Sequence, residues 1–182
     1  MAVQTFTSGQ ILTAADTNTY LANSGLVFVK TQTIGSGVSS VTVTGAFSAT
    51  YDAYKIVITG GNTSADCELR MQLGSATTTY YSSIVGVTSL NVVTSTRRQN
   101  TVAYFDFVGT GSTNMMNANI DIINPFLAKT KTLTASNILP TANMSTTTGY
   151  MDSVSSFTDF TITPSTGTMT SGKINIYGYR LG

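Results

Sequence analysis

DCELRMQL, residues 66–73, decides the fold class. Cys67, Leu69, Met71 and Leu73 occupy every second position, and Asp66, Glu68, Arg70 and Gln72 lie between them. A period of two puts the first set on one face of a β-strand and the second on the other, one dry and one wet. The same reading, carried outward, predicts strands at 26–33, 40–44, 54–59, 101–108, 118–123, 130–135, 157–163 and 173–180. In 101–108 both faces carry apolar groups, so that strand is expected to be central and covered on both sides. The stretch 76–95 is ambiguous, with 77–81 inside it and 92–96 at its end read as strands or long loops. Clusters at Gly35–Gly37, Gly60–Asn62 and Gly109–Ser112 are expected to supply turns, with Gly35-Ser36-Gly37 as a hairpin turn. About ten short strands separated by turns predict an all-β antiparallel sandwich, jelly-roll-like, in residues 26–182.

Composition supports that class. The chain has 182 residues, enough for one main domain with a real core. Its hydrophobic fraction is 41% and its charged fraction only 9%, with a net charge of +1. Polar positions are filled by threonine, serine, asparagine and glycine. Hydroxyl-bearing and β-branched side chains suit a pleated, half-buried surface. Weak charge lets copies pack against one another with little repulsion. It also lacks the basic stripe of a nucleic-acid binder. Arg97 and Arg98 are the one adjacent basic pair and are read as a solvated loop. No apolar run is long enough to cross a bilayer, and the start MAVQTFTSGQ has no secretory pattern. The expectation is a protein made in a cytoplasm, with no membrane insertion.

Residues 1–25 differ from the rest. Thr13 followed by Asp16 has the spacing of a capping box, and Gly25 offers a stop. A helix over 14–23 would be marginal unless something packs on it. Ile11, Leu12, Tyr20 and Leu21 give it an apolar surface. The segment is therefore expected to be an arm that docks on a partner, the alternative being a fold back onto its own domain.

Catalytic chemistry has little to work with. There is no His to serve as a base and there is one Cys, so His-based triads and His/Cys metal clusters are excluded. No cofactor is expected. Cys67 reads as a small buried hydrophobe. Lys30, Lys55, Lys129, Lys131 and Lys173 fall mostly on exposed-looking strand positions. Asp106 lies between Phe105 and Phe107, and Asp121 between Ile120 and Ile122, so each is expected to face solvent or a neighbouring subunit. A carboxylate pair cutting a glycosidic bond is the least favoured reading. Tyr80 and Tyr81 sit in a polar stretch. They are candidate glycan contacts, with core or interface positions preferred for them. In the last strand Ile174 and Ile176 point one way and Tyr177 and Tyr179 the other, so the tyrosines are expected to pack on a neighbour or a second sheet.

Three stretches together resemble a known group. FTSGQILTAADTNTYL (residues 6–21) is similar to the short N-terminal motif of many tailed-bacteriophage tail-fibre and other virion proteins. AFSATYDAYKIVITG (46–60) with INPFLA (123–128) resembles the body of a family of phage structural proteins. SGKINIYGYRLG (171–182) is similar to that family's terminal strand, with its Tyr-Gly-Tyr-Arg signature. The resemblance implies a β-sandwich, frequent homotrimers, an N-terminal segment anchored to another virion protein, and no catalytic residues. It leads to the expectation of a non-enzymatic virion component, a tail fibre or a small tail or baseplate protein. The alternatives are a capsid decoration protein, of cement or head-fibre type, and a module binding host surface glycan.

Overall fold

The computed structural model describes residues 7–11, 13–16, 25–88, 90, 92–99, 102–138 and 144–180, with 97–99 as backbone only. The described chain forms a one-turn helix, α1 (Ala14–Asp16), and twelve strands. The first six are β1 (Leu26–Thr33), β2 (Val41–Val43), β3 (Ala53–Thr63), β4 (Cys67–Leu73), β5 (Tyr80–Val87) and β6 (Val93–Gln99). The others are β7 (Phe105–Ser112), β8 (Met115–Ile123), β9 (Lys131–Ile138), β10 (Met144–Met151), β11 (Phe160–Pro164) and β12 (Met169–Tyr179).

All pairings between these strands are antiparallel. One run of neighbours is β1-β12-β3-β8 and another is β2-β11-β4-β7. Counted alone, those eight strands lie in the chain order 1-8-3-6 and 2-7-4-5, the two halves of an all-β, sandwich-like antiparallel fold. Two hairpins are added to this frame. β9, β10, β5 and β6 continue the first run beyond β8. The end of β7 pairs with the start of β8 and so joins the two halves.

Alternation explains the core. β4 buries Cys67, Leu69, Met71 and Leu73, as its sequence predicts. Ile56 and Ile58 of β3 and Ile174 and Ile176 of β12 meet them from the other half, in one hydrophobic cluster. Each such side chain contributes about 1.5–3 kcal/mol when fully buried. Phe47 bridges the halves, with its ring centroid 4.9 Å from Tyr54 and 5.5 Å from Phe160.

β7 is buried along its whole length. One face meets the core, and the added strands cover the other. Asn137 Nδ2 and Thr147 Oγ1 both donate to the Phe107 carbonyl, at 2.9 and 2.6 Å. The Tyr80 and Phe105 rings lie 5.0 Å apart, edge to face. Phe107 has φ 55°, in the left-handed region, where a bulge shifts the pairing of β7 with β4.

Several expectations need correction. Gly35–Gly37 is not a hairpin turn, because β1 pairs with β12 and β2 with β11. Gly60–Asn62 lies inside β3 at a bulge, and Gly109–Ser112 lies inside β7. β7 starts at Phe105, four residues later than expected, and β10 lies where the sequence predicts no strand. Asp106 does not face solvent: it is fully buried, with the Arg70 Nε 3.2 Å from its Oδ1. Lys131 is fully buried as well.

Candidate functional site

The described part of the N-terminal segment is a capped, exposed arm. The Thr13 amide donates to Asp16 Oδ2 at 3.1 Å, and the Asp16 amide donates to Thr13 Oγ1 at 3.1 Å. These are the two reciprocal bonds of a capping box. Hydrogen bonds from the Thr13 hydroxyl and then its amide hold the Asp16 carboxyl below its ordinary range. Ile11 is 84% exposed. Leu12, Tyr20 and Leu21 lie outside the described residues.

The outer face of the long sheet is built from cross-strand rows. β5, β10 and β9 pair in register, so their outward residues line up three across. The rows are Val87–Met144–Ile138, Val85–Thr146–Ser136, Ser83–Thr148–Thr134 and Tyr81–Tyr150–Thr132. None of these twelve side chains carries a charge. Val85, Val87, Ile138, Met144 and Tyr150 are exposed at one end or the other of this face. The third row runs on through Asp121, Lys55, Tyr177 and Phe28 to the edge strand β1.

There the charges cancel. Lys55 Nζ lies 3.2 Å from Asp121 Oδ2. The Tyr179 hydroxyl donates to Asp121 Oδ1, and that bond pushes the phenol up to about 12. The Phe28 and Tyr177 rings are 5.9 Å apart, edge to face. Tyr177 and Tyr179 therefore pack on the outer face of their own sheet, while Ile174 and Ile176 belong to the core.

A groove of about 790 Å³ opens between the β4–β5 and β10–β11 connections, beside the outward side of β2 and β11. Hydroxyls of Thr42, Ser75, Thr78, Ser153, Ser156 and Thr161 line it, with Asp152 and Asp159. Lys131 braces it from beneath. Its Nζ donates to the carbonyls of Leu127 at 3.1 Å, Lys129 at 2.6 Å and Ser153 at 2.9 Å, and also to that of Ser155. The Phe157 ring lies 5.2 Å from the ammonium. One cation thus ties the loop before β9 to the loop after β10. Burial pulls the Lys131 ammonium below the ordinary lysine range. The four carbonyls work the other way, since they favour the charged form.

The remaining candidates divide clearly. Tyr80 is fully buried, and its hydroxyl accepts from the Leu73 amide at 2.8 Å. It therefore offers no surface to a sugar. Burial pushes its phenol up to about 12. Tyr81 is half-exposed, its ring 5.7 Å from that of Tyr150. Cys67 is buried, and burial pushes its thiol up, away from the reactive thiolate. Among the described residues no three His, Cys, Asp or Glu side chains converge as a metal group would need.

No sign in the linear pattern points to the Lys131 brace or to the neutral rows, because both depend on which strands become neighbours. No protein-family model matches the chain, and no curated protein or solved structure matches it.

Proposed function

We propose that this chain is a non-enzymatic structural component of a tailed-phage virion, a tail fibre or a small tail or baseplate protein. The N-terminal segment anchors it to another virion protein, and the sandwich associates with copies of itself. The observation that carries the reading is the arm. The motif that resembles phage anchoring segments forms its capping box, yet holds Ile11 84% exposed, away from its own core. A three-residue turn with no buried side chain is marginal in water by itself, and docking on something else is what would hold it. Weak overall charge and neutral surface rows suit contacts made by apolar packing and neutral hydrogen bonds. Capsid decoration is the alternative position on the particle, served by the same surfaces.

Deleting residues 1–24 tests the anchor. The truncated chain is expected to keep its β-sheet circular dichroism and its cooperative melting while failing to enter particles. Truncated protein found in particles at the full-length amount would overturn the anchoring role.

The hydroxyl-lined groove with Asp152 and Asp159 favours a second reading, a module for host glycan. Neutral hydroxyls and carboxylate acceptors suit a sugar's own hydroxyls. Saturable binding on a glycan array, lost in Asp152→Ala, would support it. Binding that survives Asp152→Ala, Asp159→Ala and their combination would place any sugar contact elsewhere.

A further inference from the structure

The four rows across β5, β10 and β9 form an interaction surface, and we infer that its occupant is a second copy of this chain. The inference rests on the self-association proposed above and gives it a location.

Charge is the first argument. The rows run Val87–Met144–Ile138 at one end to Tyr81–Tyr150–Thr132 at the other, without a charged side chain among the twelve. Surface positions are where charge normally gathers. Interface cores are depleted of it and enriched in tyrosine and methionine. A partner presenting Lys, Arg, Asp or Glu would have to bury them here unpaired, at high cost. A second copy presents the same uncharged rows. With a net charge of +1 on the whole chain, copies approach with little repulsion.

Area is the second. β5, β10 and β9 at about 4.8 Å between strands and about 25 Å along them span roughly 360 Å² of neutral face, and β6 and β8 on either side, which carry Arg97 and the Lys55-paired Asp121 in register with the third row, widen it to roughly 600 Å² with a charged rim. Two such faces, neutral centre and charged rim together, reach the roughly 1,200 Å² at which specific interfaces begin. The rows are also chemically matched for packing sheet on sheet. Aliphatic side chains at one end can interdigitate. The central Ser and Thr hydroxyls can each donate and accept across the contact.

The experiment uses the full chain and two separate substitutions, Thr148→Lys and Thr134→Lys, at exposed central positions of the face. Ser36→Lys, in the exposed loop between β1 and β2, is the control. Molar mass is read by light scattering on a sizing column, at high micromolar concentration, together with the melting temperature. The wild type and Ser36→Lys are expected at a two- or threefold multiple of the chain mass. Both face variants are expected at the single-chain mass, with melting of the isolated chain still cooperative and self-association weakened roughly a hundredfold. A multiple mass that survives both face substitutions would overturn this surface while leaving self-association intact elsewhere. A wild type running at the single-chain mass would overturn the surface and the self-association together. The anchoring role would still stand or fall on the arm deletion.

Discussion

Replacing Lys131 by Met removes the cation that ties two loops together and keeps most of the side-chain volume. The carbonyls of Leu127, Lys129, Ser153 and Ser155 then lose their shared donor. A buried acceptor left unsatisfied costs about 1–3 kcal/mol. Ser155 is exposed, so water can reach part of the cage once the loops move. Removing a buried charge also relieves its desolvation cost. The net expectation is a loss of about 3 kcal/mol. For a domain of this size that lowers the melting temperature by roughly 10 °C, at about 2–4 °C per kcal/mol. Urea titration and thermal melting followed by circular dichroism measure it. Lys129→Met, at an exposed side chain whose carbonyl stays in the cage, should change stability by no more than about 0.5 kcal/mol. If Lys131→Met melts within a degree or two of the wild type, the ammonium is not what holds the loops.

Tyr80→Phe should change alkaline unfolding. Below pH 10 the phenol is neutral in folded and unfolded chains alike, so it adds no pH dependence. Between its ordinary 10.0 and about 12 the unfolded chain gives up the proton first, so stability falls as pH rises through that window. Melting temperature plotted against pH should therefore fall less steeply above pH 10 in Tyr80→Phe, and an unchanged slope would contradict the burial argument. Gly149→Ala should cost about 1–3 kcal/mol, because a Cβ there would sit 2.6 Å from Phe105 Cδ1. Equal stability in urea would show that the Phe105 ring shifts freely. Arg70→Leu removes the guanidinium from a fully buried carboxylate and should cost about 3 kcal/mol, with part of the loss recovered in the double variant Arg70→Leu, Asp106→Leu. Strict additivity of the two single changes would mean that the pair does not interact.

The sequence made the sandwich readable where one face was dry and the other wet. Cys67–Leu73 alternates without a break, and Leu26–Thr33 and the terminal strand were placed by the same period. The period fails where a second layer covers the outside. β10 reads MSTTTGYM, and its inward positions include Thr147 and Gly149. Thr147 is turned inward to bond the Phe107 carbonyl, and Gly149 makes room for the Phe105 ring, so neither looks apolar in the sequence. Glycine usually marks a turn, yet Gly111 lies inside β7. Here a Cβ would meet Thr63 Cγ2 at 2.4 Å, so close approach of β3 requires the glycine. Asp106 and Lys131 are buried against expectation for the same reason: alternation predicts which face a side chain takes, not whether that face is covered. The arm's capping box was legible from Thr13 and Asp16 because its bonds are local. The rows of the neutral face were not, since each row joins residues far apart in the chain.

Quantitative mass spectrometry of gradient-purified phage particles tests the central claim most directly. The account predicts this chain in the particle band at a fixed ratio to the major capsid protein, from several to many copies each. Particles that are complete and infectious, with the chain found only in the soluble fraction of the lysate, would contradict it.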